Sequence, residues 1–283
     1  MQPLPNLAEA DLGRAIRALG RRGFETALHA WLGRCLAIDN IVVLAYRDSA
    51  PPELIYRHAT RPEVFARLET VYLAGAYLLD PFHELHARRA PAGLYRLRDI
   101  APDRFHATRY VRDYYERTTI LDELTFVAYP AEGVSLNVCL GRDAGSGLAF
   151  AAREVETADR LAPVVLALAE AHWAGLAAEP AAARDPGAGL RAALAQRHGL
   201  HLSPRQAQVA LLILKGHSSV SIALGLGLSP QTVKVFRRQL YARCGLSSQA
   251  ELFALCMPLL SAPARAAATV QAKPLPKPAR AAL

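Results

Sequence analysis

Gln231, Lys234, Val235 and Arg238 fall together on one face of a short helical segment, while Val233, Phe236 and Leu240 at i, i+3 and i+7 face the other way. A cationic, amide-bearing strip backed by an apolar stripe suits a DNA major groove. Such a stripe is more often just a solvated face. Here the surrounding charge argues otherwise: from His201 to Leu260 there are six Lys/Arg against one acid, Glu251. A second chemistry-bearing group lies upstream, where Tyr72, Tyr77, Asp80, Tyr95, Tyr110, Tyr114, Tyr115, Asp122 and Glu123 cluster in the sequence. A carboxylate taken out of water needs a partner. A cationic or amide-bearing ligand would supply one, and tyrosine faces favour ammonium groups. Other roles stay open: Asp80 before Pro81 also suits a helix cap, the three tyrosines at 110–115 a helix core, and Asp122 and Glu123 a strand entry or a pair with Arg109 or Arg112.

The elements that hold the cationic strip follow from capping chemistry. Ser203 is an N-cap, Pro204 stands where its missing N–H costs nothing, and Gln206 completes a capping box, which predicts a helix through Lys215 ending at Gly216. Val209, Leu212 and Ile213 form its apolar face. Ser218 or Ser219 caps a second helix with Ile222, Ala223 and Leu226 inward, and Gly227 supplies the turn to a third cap at Ser229 and Pro230. Two helices joined by a short glycine turn make a helix-turn-helix.

The segment Leu202–Leu255 resembles the DNA-binding domain of LuxR-type transcription regulators, whose pattern runs L-[ST]-x-R-E, G-x-[ST], I-A, L-x-[ILV]-S-x-x-T-V-K and S-x-x-E-L. The matching residues are Leu202-Ser203-Pro204-Arg205-Gln206, Gly216-His217-Ser218, Ile222-Ala223, Leu228-Ser229-Pro230-Gln231-Thr232-Val233-Lys234 and Ser247-Ser248-Gln249-Ala250-Glu251-Leu252. Departures are Gln206 for Glu, Ala210 for Leu, Ser221 for Glu and Phe236 for His. The resemblance implies that Lys234, Val235 and Arg238 reach base edges, with Gln231 as an addition. Ser218 and Ser219 would lie on phosphates, and Arg237 and Arg243 are expected to join them.

The whole chain of 283 residues carries +8, spread unevenly: residues 1–175 are near neutral, and the charge gathers at the basic end. A polyanionic partner is expected for that end only. Cys35, Cys139, Cys244 and Cys256 form no C-x-x-C pair, so neither a zinc site nor a disulfide framework is expected, and a reducing cytoplasm fits. The amino-terminal residues lack an apolar signal region and no apolar run is long enough to span a bilayer, so a soluble protein without membrane attachment is expected. His83 and His86 are too closely spaced for a zincin helix, the early acids are too scattered for a phosphoacceptor domain, and no nucleophile elbow, P-loop or dinucleotide fingerprint occurs. No enzyme activity, metal or cofactor is expected.

Residues 1–176 mix periods. Leu7–Leu19 and Phe24–Leu36 have helical spacing. Ile41–Tyr46 and Glu53–His58 read as strands around a turn from Asp48 to Pro52. Val64–Tyr77 and Asp103–Arg117 return to helix, and Leu124–Tyr129 with Val134–Leu140 forms a hairpin. Glu154–Trp173 is a long helix with Leu161, Val164, Val165 and Leu168 on one face. The expectation is an α+β chain. It begins with an α-β-α sandwich of PAS/GAF type around a central antiparallel sheet, at 1–176. A linker at 177–198 leads to an all-α four-helix helix-turn-helix domain at 199–260, and a disordered basic tail occupies 261–283.

The first domain is similar to the sensor of LuxR-type quorum-sensing regulators, which has two tyrosines, an Asp-Pro and a tryptophan fifteen residues after the Asp, usually with one residue more between the second tyrosine and the Asp than here. Tyr72, Tyr77, Asp80-Pro81 and Tyr95 stand at these places. In that family the Asp accepts the amide N–H of an acyl-homoserine lactone and a tryptophan holds the lactone carbonyl; the matching position here is Leu68. The expected effector is therefore an amine or amide-bearing metabolite rather than a standard lactone, with Asp80, Tyr72, Tyr77, Tyr95, Tyr115 and Glu123 around it. The resemblance implies a ligand-binding, homodimeric regulator of promoter DNA, with RNA polymerase as a further contact. The alternative is a ligand-independent regulator whose first domain serves protein interaction or dimerisation.

Overall fold

The computed structural model describes residues 7–47, 50–177 and 186–260. α1 (Ala8–Arg17) and α2 (Phe24–Cys35) lead into β1 (Asn40–Arg47) and β2 (Glu53–Ala59). After a run of short turns come β3 (Gly93–Arg96), β4 (Ile120–Ala131) and β5 (Val134–Asp143). The five strands form one antiparallel sheet in the order β2-β1-β5-β4-β3. The tight turn after Ala131, with Gly133 at φ 73°, closes the β4–β5 hairpin by pairing Ala131 with Val134.

Alternation along β1 divides the chain into two cores, because successive side chains of a strand leave opposite faces. Ile41, Val43 and Ala45 join Trp31 and Leu32 of α2, whereas Val42, Leu44 and Tyr46 join the second face. The sandwich expected from the sequence is therefore present.

Between β2 and β4 the second face is covered by short pieces. They are a 3₁₀ turn at Pro62–Phe65, a π turn at Leu68–Tyr72, a 3₁₀ turn at Ala76–Leu79, α3 (Pro81–Ala87), α4 (Leu97–Ile100), a 3₁₀ turn at Phe105–Ala107, α5 (Arg109–Asp113) and a 3₁₀ turn at Tyr115–Thr118. The continuous helices expected at 64–77 and 103–117 are absent. Gly75 at φ 153° interrupts the first, and Thr108, which accepts the Val111 N–H, starts a new helix inside the second. Packing overrides propensity here: Tyr72, Tyr110 and Tyr114 stack on one another instead of following a single helical face.

α6 (Ala152–His172) crosses the first face with Leu161, Val165 and Leu168 buried. Val164, expected beside them, is 37% exposed, because a residue next to Val165 is rotated out of the narrow buried stripe. Arg96 and Asp122 form a buried ion pair: Nε donates to Oδ1 at 3.1 Å and a second bond runs from Nη2 to Oδ2. Arg96 also donates to the Phe150 carbonyl at 3.0 Å, and Asp122 accepts the Phe150 N–H at 3.0 Å. Asp122 thus pairs with Arg96, not with Arg109 or Arg112, and ties β3 and β4 to the approach of α6.

The expected linker at 177–198 is helical from Pro186: α7 (Pro186–His198) buries Leu190 and Leu194 in the carboxyl-terminal core. Residues 178–185 and the tail 261–283 lie outside the described residues. The last four helices are α8 (Pro204–Lys215), α9 (Ser219–Leu226), α10 (Pro230–Cys244) and α11 (Gln249–Leu260). Their caps fall where the residues place them. Ser203 and Gln206 exchange a capping box, Ser218 accepts the Ser221 N–H and Ser229 the Thr232 N–H, and Gly216 and Gly227 adopt left-handed φ of 96° and 63°. Val233 and Leu240 are fully buried, with Phe236 packed against the same core.

Candidate functional site

The residues expected from the sequence to read bases lie on the outer face of α10. Gln231, Lys234 and Arg238 are exposed and Val235 is half-buried beside them. Arg205 holds the scaffold by donating to the Leu226 carbonyl at 2.7 Å, which closes the end of α9. Arg237 lies over the Tyr241 ring at 6.0 Å. Arg243 remains exposed, but its guanidinium donates to the His201 carbonyl at 2.8 Å and to Gln206 Oε1 at 3.2 Å, so it also fastens α10 to α8.

Ser218 and Ser219 sit at the start of α9, half-buried. The free N–H groups of a helix start attract anions. That position is already satisfied from within: the Ser218 N–H donates to the Asp103 carboxylate at 3.0 Å. The hydrogen bond from Ser218 holds the Asp103 carboxyl below the usual carboxylate range. Asp103 belongs to the first domain, so a carboxylate of that domain occupies an N–H at the start of α9.

Two further contacts fix this docking. The Arg104 N–H donates to the Gly216 carbonyl at 3.0 Å. Gly216 leaves so little room that a Cβ there would lie 2.7 Å from Thr108 Cγ2 and 2.9 Å from Phe105 Cα. Lys215, the last residue of α8, forms an ion pair with Glu84 of α3, and Arg88 donates to the other Glu84 oxygen at 2.7 Å. Burial acts to raise the Glu84 carboxyl, but the charges and hydrogen bonds of Lys215 and Arg88 together outweigh it and hold the group below its ordinary range.

The first domain holds a small, partly open cavity of about 40 Å³ between the sheet and the tyrosine stack. Tyr72, Asp80, Tyr115 and Glu123 line it, as expected from the sequence. Tyr77 and Tyr95 do not. The Tyr77 ring packs edge-on against His83, and the Tyr95 hydroxyl donates to the Pro91 carbonyl at 2.7 Å near the surface. Tyr95 lies on β3, the edge strand, on the same face of the sheet as Cys139 but two strands away from it, half-buried and beyond the cavity lining. Tyr46, Tyr110, Tyr114 and Cys139 take part instead. The period-two pattern of β1 could have identified Tyr46, since it shares a face with Val42 and Leu44.

Polar groups in the wall are linked in two short chains. The Tyr46 and Tyr72 hydroxyls are 2.9 Å apart, Tyr72 donates to Asp80 Oδ2 at 2.7 Å, and Asp80 Oδ1 accepts the Phe82 N–H at 2.9 Å. Tyr115 donates to Glu123 Oε2 at 2.6 Å. Removal from water pushes the Asp80 carboxyl up to about 6, against the pull of Tyr72 and the Phe82 N–H. Glu123 rises to about 8 through removal from water and then the neighbouring Asp80 charge. Asp80 therefore serves as both a helix cap and a cavity residue. Among the described residues no group of His, Cys, Asp and Glu could hold a metal ion, and no helix is long and apolar enough to cross a membrane.

Comparison with known proteins follows the same division. Residues 200–256 match the family described as bacterial regulatory proteins, luxR family. An HTH-type transcriptional regulator encoded in the exeN 3' region of Aeromonas salmonicida is 31% identical over 192 residues, covering 65% of this chain and 96% of that protein. Among solved structures, the VqsR LBD domain of Pseudomonas aeruginosa superposes with a TM-score of 0.51 and 25% identity, over 59% of this chain and 97% of that one. Escherichia coli SdiA gives a TM-score of 0.39 and 14% identity, over 89% and 97% of the two chains.

Proposed function

Because this chain belongs to the LuxR family of bacterial regulatory proteins, DNA-binding transcription regulators rather than enzymes, we propose that a small molecule in the amino-terminal cavity controls how its helix-turn-helix domains meet promoter DNA as a dimer. Lys234, Val235 and Arg238 would read base edges with Gln231 beside them, and Ser218, Ser219, Arg237 and Arg243 would contact phosphates. Asp80, Tyr72, Tyr115 and Glu123 would meet the effector.

One observation carries the coupling. Asp80 caps α3 through the Phe82 N–H, holds Tyr72 in the cavity wall, and stands four residues before Glu84, which is paired with Lys215 of the DNA-binding domain. A ligand that favours a different Asp80 geometry also favours a different α3 position, and through Glu84 and Asp103 a different freedom of α9. The small volume of the cavity favours a second reading, in which the first domain works without ligand as a protein-interaction or dimerisation module.

Selection of operator fragments with the full chain, followed by gel-shift titration, tests the interface. Lys234→Ala should weaken operator binding by about 1–3 kcal/mol with the fold unchanged. An unaltered affinity would contradict the groove assignment.

A further inference from the structure

We propose that the amino-terminal cavity takes a compact organic monocation, with a primary alkylammonium head seated between Asp80 and Glu123 and faced by tyrosine rings. This rests on the sensor reading above and gives the chemical class of the effector.

Charge is the first reason. Two carboxylates line the cavity, and no Lys, Arg or His side chain is among its lining residues. The rings are the second: Tyr46, Tyr72, Tyr110, Tyr114 and Tyr115 all line the cavity, and tyrosine rings are surfaces of the kind that attract cations. The third is the Tyr110 hydroxyl on this wall. Tyr110 is 1% exposed, yet its oxygen has no hydrogen-bond partner among the described residues. A buried polar atom left in that state is costly. An ammonium head brings three N–H donors, enough for Asp80, Glu123 and Tyr110 together, where a secondary amide brings one.

Size limits the occupant. About 40 Å³ accommodates an ammonium with very few carbons, and anything longer must displace half-buried Phe65 or Ile120. Charge balance then selects a single positive charge. With Glu123 raised to about 8 and Asp80 to about 6, the free pair holds about one proton near neutral pH. Seating a cation favours both carboxylates in their ionised form, so the Glu123 proton leaves to solvent on binding. Asp80, Tyr72, Tyr110, Tyr114 and Tyr115 line the cavity with Glu123 from the covering turns, Tyr46 from β1 and Cys139 from β5. Asp122 acts on Glu123 from its own strand, and Lys215 acts on Asp80 from α8. The tyrosines and Cys139 are pushed above their ordinary values by burial and stay neutral in this range.

Calorimetric titration of the full chain with methylammonium and n-butylammonium chloride tests this, with methanol, 1-butanol and matched sodium chloride as controls. Two buffers of different ionisation heat report the proton. The ammonium salts should bind with proton release, gaining up to about tenfold in affinity per pH unit between about pH 6 and about pH 8, and the alcohols should give no heat. Glu123→Gln should lose both the proton release and the pH dependence. If that variant does not fold, proton release by the natural chain decides. Equal binding of alcohol and ammonium, or ammonium binding without proton release, overturns the proposal. Binding of an acyl-homoserine lactone where the ammonium salts do not bind overturns the cation class and leaves the sensor reading standing. A cavity ligand that leaves operator affinity unmoved overturns the sensor reading instead.

Discussion

The DNA-binding helices and the cavity wall are built by opposite means. Between Ser203 and Cys244 every helix carries its own start and stop, a serine at the N-cap and a glycine beyond the last turn, so each boundary is satisfied by residues a few positions away. Between Pro62 and Thr118 most of the turns lack a side-chain cap. Their order comes from tyrosines stacked over the sheet and from contact with α8. A unit closed by its own neighbours can move as one body. A wall made of short turns has few backbone bonds to resist rearrangement, which suits the ligand-responsive surface proposed above.

That contrast can be broken at its strongest point. Arg96→Ala leaves Asp122 buried without its cation and should cost about 3–5 kcal/mol in denaturant unfolding, with the loss confined to the first domain. An equal loss of helix-turn-helix stability would mean that the two regions are not separable. Next in size is the response to pH. Glu123 is raised from 4.5 to about 8 in the folded chain, which therefore keeps a proton that the unfolded chain has released. Stability of the ligand-free protein should fall as pH rises between these values, by up to about 1.4 kcal/mol per unit, and Glu123→Gln should flatten the profile. A flat profile in the natural chain would contradict the raised Glu123 carboxyl and the burial that causes it. On the other side of the contrast, Ser229→Ala removes one cap and should cost about 0.5–2 kcal/mol. It should lower DNA affinity and leave ligand binding in the first domain untouched, both measurable on the same preparation.

What could be read in advance follows the same division. Ser203, Pro204, Gln206, Gly216 and Gly227 announce their roles through residue type and local spacing, and β1 announces its two faces by alternation. Two expected helices were broken, because Gly75 and the Thr108 cap lie inside apolar patterns that a single helix could also have produced. Asp80 offered a cap or a ligand contact and provides the cap while lining the cavity. Tyr77 and Tyr95 stand near the places the resemblance assigns yet do not line the cavity, since spacing along the chain does not reveal how far across the sheet or turn a core-facing residue lies from the wall. Asp103 and Glu84 left no local signal at all. Their partners Ser218 and Lys215 are 115 and 131 residues away, and only the docking of the two domains joins them.

That docking gives the most direct test of the proposed coupling, in which the Asp103 carboxylate at the start of α9 would restrain DNA binding. The measurement is operator affinity of Asp103→Ala against the natural chain, by fluorescence anisotropy at fixed salt. Removal of one hydrogen bond worth about 0.5–1.5 kcal/mol should tighten binding roughly two- to tenfold. Unchanged or weaker binding would show that the Asp103 contact places no restraint on the DNA-binding domain.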